Sequence, residues 1–390
     1  MKVKLKEITK VCCDGDWIES KDQSSEGIRL IQTGNIGEGF FLNKESRAKY
    51  ISFDTFEKLK CTEVYEGDIL VSRLPDPIGR SCIIPPMEQK MITAVDCTII
   101  RCDESLCLPK YFVYFSRSKF YQFQVNQLIS GATRQRISRK NLENIEINIP
   151  SLFDQQQIVF HLDTIQSAID NKQKQLKELD ELVKSRFIEM FGENPVESGK
   201  WHVDKLDNIC TEKSGEYGAA SASVHFDKNR PRYVRITDIN EDGSLNDDFV
   251  SSININDDIT YKLRFGDFLF ARMGATVGKT YAYLTGNQIF AGYLIRFKLN
   301  LSLLHPVFLF YYTKMSSYKK WVEENQSGAA QPGINAKRYG KLPIPVPPLS
   351  LQNEFAAFVQ QIDKSKFVVK QQIKDLQELM DSKMQEYFGG

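Results

Sequence analysis

Two long stretches of the chain have apolar residues at the spacing typical of packed helices. The first, residues 154–192, reads DQQQIVFHLDTIQSAIDNKQKQLKELDELVKSRFIEMFG and is almost free of glycine and proline. Its apolar side chains recur in steps of three, four or seven, and the second stretch, near the end of the chain, keeps the same register. The predicted seam positions are Ile158, Leu162, Ile165, Ile169, Leu176 and Leu179 in the first stretch and Phe355, Val359, Ile362, Val369, Ile373 and Leu376 in the second.

Each stretch predicts a helix of about 37 residues, which at 1.5 Å per residue is about 55 Å long. A helix of that length needs a partner along its apolar face, and the other helix is the obvious one. Lys172, Arg186, Lys366 and Lys383 interrupt the seam. The alternative is that each stretch is an ordinary core helix of its own domain.

The residues before each helix have a mixed pattern. Short apolar runs such as DILVS (68–72) and CTIIRC (97–102) predict strands, and the Gly, Pro, Asn and Asp residues between them predict turns. A proline-bearing segment then leads into each helix, INIPSL (147–152) in the first half and LPIPVPPLSL (342–351) in the second.

The sequence repeats itself in order. SGATRQRISRKNL (130–142) returns as SGAAQPGINAKRY (327–339), an offset of 197 residues (327 minus 130). Nearer the start of each half, EGDILVSRLPDPIGRS (66–81) matches FGDFLFARMGATVGKT (265–280) at almost the same offset. Ordered matches at a nearly constant offset indicate a tandem duplication of a unit of about 190 residues.

These patterns predict an α+β architecture with internal pseudo-twofold symmetry. Two similar globular mixed α/β domains are joined by two long helices packed as an antiparallel coiled coil. The direction follows because the first helix leads into the second domain and the second helix ends the sequence. The predicted segments are a first domain at 1–150, a first helix at 151–192, a second domain at 193–347 and a second helix at 348–390.

Composition narrows the function classes only a little. The 390 residues are 42% hydrophobic and 26% charged, with a net charge of +1, so the chain is not a generally sticky basic protein. We find no apolar run long enough to span a membrane and no secretory signal in MKVKLKEITK, and we expect a cytoplasmic protein. The eight cysteines have no disulfide or zinc-site spacing, which favours reduced thiols. Basic residues do cluster locally, in GATRQRISRK (131–140) and NRPRYVRI (229–236).

Taken with the helices, several stretches resemble the specificity subunit of type I restriction–modification systems over essentially the whole chain. They are DGDWIESKD (14–22), GIRLIQTGNIGEG (27–39), EGDILVSR (66–73) and the two SGA segments (130–152 and 327–355). The resemblance implies that each domain is a target recognition domain for one half of a split double-stranded DNA site. It implies that the helices set the spacing and dock methyltransferase subunits, two of them by our expectation, with restriction (translocase) subunits joining the complex. It also implies no catalytic centre in this chain, and we expect no cofactor or metal.

The SGA segments contain the first group of predicted DNA contacts. Arginine forks suit guanine or phosphate, and a side-chain amide suits adenine. Because glycine, glutamine and isoleucine recur in both copies, part of the segment could instead close the domain onto its helix. The predicted contacts are Arg134, Gln135, Arg136 and Lys140 in the first copy, Gln331, Lys337 and Arg338 in the second, and Arg232 and Arg235 in the other basic cluster.

The second group comes from a turn that resembles a nucleotide-binding loop. GATVGKT (274–280) has three residues between its glycines, where a phosphate-binding loop has four. The matching copy, LPDPIGRS (74–81), keeps only the preceding arginine, the second glycine and a cation. This favours a turn that approaches DNA through Arg73 and Arg80 in one copy and Arg272 and Lys279 in the other, or else a plain turn with solvated cations.

Rival functions rest on weaker patterns. Asp76, Glu88 and Lys90 match a magnesium-nuclease pattern, but Pro85 and Pro86 would break the strand that presents the glutamate. Lys279 is the residue that a nucleotide hydrolase would use. No methyltransferase motif or nucleophile–histidine pair is evident. A scaffold that reads no DNA is the remaining alternative.

Overall fold

The computed structural model describes residues 2–131, 135–328 and 332–389. Residues Arg134 and Gln331 of the predicted contacts lie outside these ranges. The chain divides into two units: unit 1 holds residues 1–173 and 371–390, and unit 2 holds residues 174–370. The units differ from the predicted domains because each includes half of both long helices.

Unit 1 is built mostly of short strands. Its strands are β1 Lys2–Lys4, β2 Thr9–Asp14, β3 Ile28–Ile31, β4 Lys49–Ile51, β5 Glu63–Val64, β6 Ile69–Ser72, β7 Ser81–Ile83, β8 Met91–Thr93, β9 Cys97–Cys102, β10 Ile129–Ser130, β11 Arg136–Ile137 and β12 Glu146–Asn148. Its helices are α1 Phe53–Leu59, α2 Pro109–Ser116, α3 Lys119–Gln127, α4 Arg139–Glu143 and the first part of α5 Leu152–Phe191.

Two four-stranded sheets form the centre of unit 1. One is antiparallel with the order β2-β9-β6-β7, and the other has the order β4-β3-β8-β5 with β3 parallel to β8. Strands β6 and β9 are buried almost throughout, which explains their continuous apolar sequence. Helices α2 and α3 cover one face through Tyr111, Phe112, Phe115 and Tyr121, all at most 2% exposed.

Unit 2 repeats this plan. Its strands are β13 His202–Lys205, β14 Glu216–Tyr217, β15 Ser223–His225, β16 Arg232–Val234, β17 Val250–Ser252, β18 Asp267–Ala271, β19 Thr280–Ala282, β20 Gln288–Phe290, β21 Leu294–Lys298 and β22 Pro343–Val346. Its helices are α6 Asp257–Thr260, α7 Pro306–Tyr312, α8 Ser316–Asn325, α9 Ala336–Tyr339 and the first part of α10 Leu349–Phe388. The order β14-β21-β18-β19 matches β2-β9-β6-β7, and β16 pairs parallel with β20 as β3 does with β8.

Matched side chains confirm that the two units share one internal design. Gln155 is fully buried at the start of α5, where its Oε1 accepts from the Leu108 backbone N–H at 2.9 Å. Gln352 does the same at the start of α10, accepting from the His305 backbone N–H at 2.8 Å. Each glutamine joins its long helix to the loop before a short helix, so the helix is fixed to its own sheet.

The two long helices pack side by side within each unit. In unit 1, Leu162, Ile165 and Ile169 of α5 share a buried cluster with Met380 and Phe388 of α10. The early part of one helix meets the late part of the other, so the pair is antiparallel.

In unit 2 the corresponding cluster joins Val183 and Phe187 of α5 to Phe355, Val359 and Ile362 of α10. Here the late part of α5 meets the early part of α10, again antiparallel.

The remaining predicted seam residues of both units differ in burial: Val369 is buried, whereas Ile158, Leu176, Leu179, Ile373 and Leu376 are half-buried.

Two of the charges that interrupt the seam form ion pairs between the helices. Arg186 Nη2 lies 2.9 Å from Glu354 Oε1, and Lys366 Nζ pairs with Asp180. Because a cation at a packed seam needs a counter-charge, these pairs explain how the helices accommodate the breaks in the apolar pattern.

Candidate nucleic-acid interface

In unit 1 the described residues of the GATRQRISRK segment, Gly131 and 135–140, lie beside the end of the central strand β6. Strands β10 and β11 pair antiparallel at its base, and Gly131 there has a φ of 101°, which glycine adopts without strain. The Ile137 backbone N–H donates to the Arg73 carbonyl at 3.3 Å and so holds the loop against β6. Gln135 and Arg136 are exposed on this loop.

A small charge network lies next to this loop. Arg73 is 5% exposed, its Nη1 is 3.5 Å from Asp14 Oδ2, and its Nη2 donates to the Val95 carbonyl. Arg139 is exposed and shares the same carboxylate, with its Nε at 3.7 Å, while Lys140 beside it is also exposed. This surface therefore offers Gln135, Arg136, Arg139 and Lys140, and Arg73 lies behind it.

Arg80 is placed differently from the prediction. It is 8% exposed, and its guanidinium donates to the carbonyls of Ile36, Leu74, Pro77 and Thr33 at 2.7–2.9 Å. Burial lowers the pKa of this arginine. Because its donors are used inside the domain, the geometry favours a structural role for Arg80 over the predicted DNA contact.

The matching turn of unit 2 gives the same role to a lysine. GATVGKT lies between antiparallel strands β18 and β19, and it contains a short 3₁₀ turn at Gly274–Thr276. A phosphate-binding loop instead joins a strand to a long helix. Lys279 Nζ donates to the Ile239 carbonyl at 3.4 Å and lies 2.7 Å from Glu241 Oε1. The lysine therefore braces two loops of the domain, and the turn lacks the structural context of a nucleotide-binding loop.

Arg272 is the most available arginine among the matched positions. Its guanidinium carbon lies 4.8 Å from the ring centre of Tyr217 and 5.7 Å from that of Tyr293. Nε donates to the Gly292 carbonyl at 3.2 Å, and within the described ranges no hydrogen bond or ion pair involves the two terminal nitrogens. Cation–π contacts of this kind stabilise by about 0.5–2 kcal/mol, so the rings hold the guanidinium while its fork remains open.

In unit 2 the second SGA segment (327–339) is bonded to Arg272, as the first SGA segment (130–142) is bonded to Arg73. The Ile334 backbone N–H donates to the Arg272 carbonyl at 2.9 Å, and Gly328 has a φ of 105°. Lys337 on α9 is exposed, whereas Arg338 is half-buried and donates from Nη1 to the Asn325 carbonyl at 2.6 Å.

The NRPRYVRI arginines are largely occupied by the fold. Arg235 pairs with both Asp238 and Asp248 at 2.7 Å, and the Asp238 carboxylate, its main partner, raises its pKa. Arg232 is 7% exposed and donates to the Asn246 carbonyl at 2.7 Å. Both arginines therefore make contacts inside the domain, and their proposed role in DNA binding stays a prediction.

The nuclease pattern does not converge in the structure. Asp76 lies in the β6–β7 turn and Glu88 in the β7–β8 loop, at opposite ends of β7. Lys90 lies 3.0 Å from Glu63 and over the ring of Phe56. Within the described residues, no three metal-ligating side chains come together.

The sequence analysis did not predict the neighbours that bury Arg73 and leave the guanidinium fork of Arg272 open, which are Asp14 and Tyr217. Asp14 and Tyr217 occupy equivalent strand positions, since the glycine that follows each donates its N–H to the equivalent carbonyl, Cys97 in unit 1 and Leu294 in unit 2. An alignment that extended over these strands would match Asp14 of the first copy with Tyr217 of the second. No local pattern marks either residue as functional.

Comparison with known proteins identifies the family. The model for the type I restriction modification DNA specificity domain matches twice, over residues 1–181 and 198–378. The chain is 23% identical over 292 residues to the type I restriction enzyme StySPI specificity subunit of Salmonella potsdam, covering 70% of this chain and 62% of that protein. It is 21% identical over 308 residues to the EcoKI specificity subunit of Escherichia coli K12, covering 72% and 63%. The matches thus span less than two thirds of these relatives.

Solved structures give the same fold at low sequence identity. A chain from a study of complex assembly and conformational transition of the type I restriction–modification system aligns over 100% of this chain and 97% of its own length, with a TM-score of 0.61 and 17% identity. The S subunit of the type I system from M. genitalium aligns over 100% and 96%, with a TM-score of 0.58 and 15% identity. Across the described residues, no helix combines the length and apolar character that crossing a membrane requires. With a family match in each half and this shared fold, the chain belongs to the type I restriction modification DNA specificity domain family.

Proposed function

We propose that this chain is a DNA sequence-recognition subunit of a type I restriction–modification enzyme, without a catalytic centre of its own. One observation carries the proposal: each half matches the specificity-domain model, and in each unit an isoleucine, Ile137 or Ile334, donates its backbone N–H to the carbonyl of the matched arginine at the same strand end. Each unit would read one half of a bipartite site. Most affinity would come from phosphate contacts and sequence preference from base edges in the major groove.

The two half-sites should differ in sequence because the matched surfaces differ in chemistry. Unit 1 offers an amide and cations at Gln135, Arg136 and Lys140. Unit 2 offers the Arg272 fork between two tyrosines, an arrangement suited to the N7 and O6 acceptors of guanine or to a phosphate. The recognised site should accordingly be asymmetric.

The long helices are the proposed docking surface for methyltransferase subunits, two of which we expect, with restriction subunits joining the complex. Large apolar side chains stand exposed on them: Phe153 and Phe160 in unit 1 are 67% and 65% exposed, and Phe367 in unit 2 is 71% exposed. Exposed aromatic residues of this size often mark protein–protein interfaces.

Domain exchange tests the proposal. Residues 1–150 would be replaced by the first domain of another family member, the chain assembled with its methyltransferase subunits, and the methylated sites mapped. We expect one half of the methylated sequence to change and the other to stay. The reciprocal exchange of residues 193–347 should change only the other half. A methylated site unaltered by both exchanges would favour a scaffold that reads no DNA.

A further inference from the structure

An open concavity of about 480 Å³ on unit 2 combines positive charge with aromatic surface. It lies at the start of β16 and the β19–β20 loop, and none of the described residues that line it is acidic. Its walls are formed by the cations Lys228, Arg230 and Arg232 and the rings of Phe226, Phe249 and Tyr281. Positive charge beside flat apolar surface is the chemistry that binds nucleotides.

Arg232 is the residue that points to a ligand. It is 7% exposed, its guanidinium carbon lies 4.3 Å from the ring centre of Phe249, and its Nη2 donates to the carbonyl and Oδ1 of Asn246 at 2.7 and 3.0 Å. Its Nε is buried without a hydrogen-bond partner, and in the described part of the chain no carboxylate lies within ion-pair distance. Burying a charge without a carboxylate partner is costly, and an anion in the concavity would supply the missing counter-charge.

The other lining groups divide into fixed and available donors. The charge of Arg230 is already paired, because Asp258 accepts from its Nε and Nη2 at 2.7 and 2.9 Å. Lys228 and Asn287 are exposed at the rim. Gln288 Oε1 accepts from the Tyr281 hydroxyl at 2.8 Å, which leaves the Gln288 amide nitrogen as a donor. An anion would thus meet one exposed cation, Lys228, one buried cation, Arg232, and neutral amide donors.

In unit 1 the counterpart of Arg232 is Arg29, but the residue beside it is engaged differently. Arg29 is 2% exposed, donates to the Asn43 carbonyl at 2.7 Å, lies over Tyr50 and also has an unpartnered Nε. The Arg232 backbone N–H donates to the Asn287 carbonyl, and the Arg29 backbone N–H donates to the Lys90 carbonyl, so Lys90 occupies the place of Asn287. Lys90, however, pairs with Glu63 at 3.0 Å. The counterpart of this rim residue is therefore paired internally in unit 1, whereas Asn287 is exposed in unit 2.

We infer that the unit 2 concavity binds a phosphodiester group of the DNA backbone, with the adjoining nucleotide against its aromatic wall. The inference rests on the proposed function and adds a positioning contact to it. A phosphate contact carries no base information, so it should raise affinity for every DNA sequence alike.

The test uses the full chain assembled with its methyltransferase subunits. Lys228→Gln removes the exposed rim cation, and Asn287→Asp places a negative charge at the rim. The control Lys205→Gln changes an exposed lysine of unit 2 that does not line the concavity. We expect each rim variant to bind DNA about 10-fold more weakly, with a salt slope about 1 smaller for Lys228→Gln. The ratio of cognate to scrambled affinity should not change, and the control should bind as the unsubstituted protein does.

Three outcomes would overturn the inference. Affinity and salt slope that stay unchanged in both rim variants would show that no phosphate binds there. A changed ratio of cognate to scrambled affinity would assign a base contact instead. A thermal shift of the full chain with millimolar inorganic phosphate or dAMP, abolished by Lys228→Gln while DNA binding is intact, would assign a free anion. A wild-type complex that does not distinguish cognate from scrambled DNA would refute the proposed function, but the salt slopes would still test the concavity.

Discussion

At the scale of single residues, matched cations in the two units donate to equivalent backbone acceptors. Arg80, in the β6–β7 turn, donates to the Ile36 carbonyl. Lys279, in the β18–β19 turn, donates to the Ile239 carbonyl. Arg80 makes three further carbonyl contacts, whereas Lys279 has the Glu241 carboxylate. The cation shared by the two copies is thus part of the domain's internal bracing.

Arg80→Ala should destabilise unit 1 by about 2–4 kcal/mol, because several buried carbonyls lose their donor. Thermal unfolding of the full chain measures the effect, and Arg47→Ala, at an exposed arginine of the same unit, is the matched control. Sequence preference of the assembled complex should be retained. A stable Arg80→Ala protein with altered preference for the first half-site would restore Arg80 as a DNA contact.

Arg272→Ala should reduce preference for one half-site by about 10- to 100-fold, in line with about 1–3 kcal/mol for a forked base contact. Binding of the assembled complex to DNA substituted in either half-site measures it. Arg264→Ala, at an exposed arginine of unit 2, is the control. Equal losses for all sequences would make Arg272 a phosphate contact, and no loss would make the turn structural.

The identity of these arginines was predictable from the sequence, but their exposure was not. Arg73 and Arg272 follow matching strands, yet one is buried against Asp14 and the other is held open between two tyrosines. The deciding neighbours, Asp14 and Tyr217, lie more than 50 residues away along the chain. Such contacts depend on how the sheet assembles, which no local pattern encodes.

At the scale of elements, the long helices were the easiest feature to predict. Their apolar spacing is local information, and the structure gives two helices of 40 residues each, at Leu152–Phe191 and Leu349–Phe388. Their starts also have a local cause. Ser151 Oγ accepts from the Asp154 backbone N–H at 3.1 Å and so caps α5, and Pro347 and Pro348 precede α10. The ion pair between Lys366 and Asp180 across the seam could not be predicted from the sequence, because it depends on how the two helices are aligned.

Helix α7 begins with a histidine that acts as its cap. His305 Nδ1 accepts from the Val307 backbone N–H at 3.2 Å, which requires a neutral ring, and burial lowers the pKa of this histidine below 6.5. A lowered pKa means that the unfolded chain binds more protons near pH 6. The stability that the neutral ring provides is present above pH 6.5 and is lost as the pH falls toward the folded pKa.

His305→Asn should therefore flatten the acid side of the stability profile, because asparagine caps without titrating there. Unfolding of the full chain at pH 7.5 and pH 5.5 measures the change. His225→Asn, at an exposed histidine of unit 2, should leave the profile as it is. A slope that survives His305→Asn would mean that other groups cause it.

At the scale of the whole molecule, unit 1 is assembled from two distant parts of the chain, whereas unit 2 is one continuous segment. Unit 1 is completed by residues 371–390, whose Met380 and Phe388 are 6% and 5% exposed. Phe388 lies 5.2 Å from Tyr111 and 6.0 Å from Phe115 between ring centres. The repeat predicted two similar domains, but a reading along the sequence could not predict that the last residues complete the first unit.

Deleting residues 371–390 should unfold unit 1 and leave unit 2 folded. Losing two buried apolar side chains costs about 3–6 kcal/mol, a large part of the stability of an ordinary domain. Hydrogen exchange of the full and shortened chains measures protection in each unit, and removal of residues 389–390 alone is the control. Persistent protection of β6 and β9 in the shortened chain would contradict the packing described for unit 1.

The positions of Lys2 and Gly389 have a consequence for how the gene could be rearranged. Both residues line one small concavity in unit 1, together with Phe120 and Phe388. A short peptide linker could therefore join the two ends of the chain, and new ends could be opened in the loop between Phe191 and His202. Such a rearranged gene would encode the same two units in the opposite order along the polypeptide.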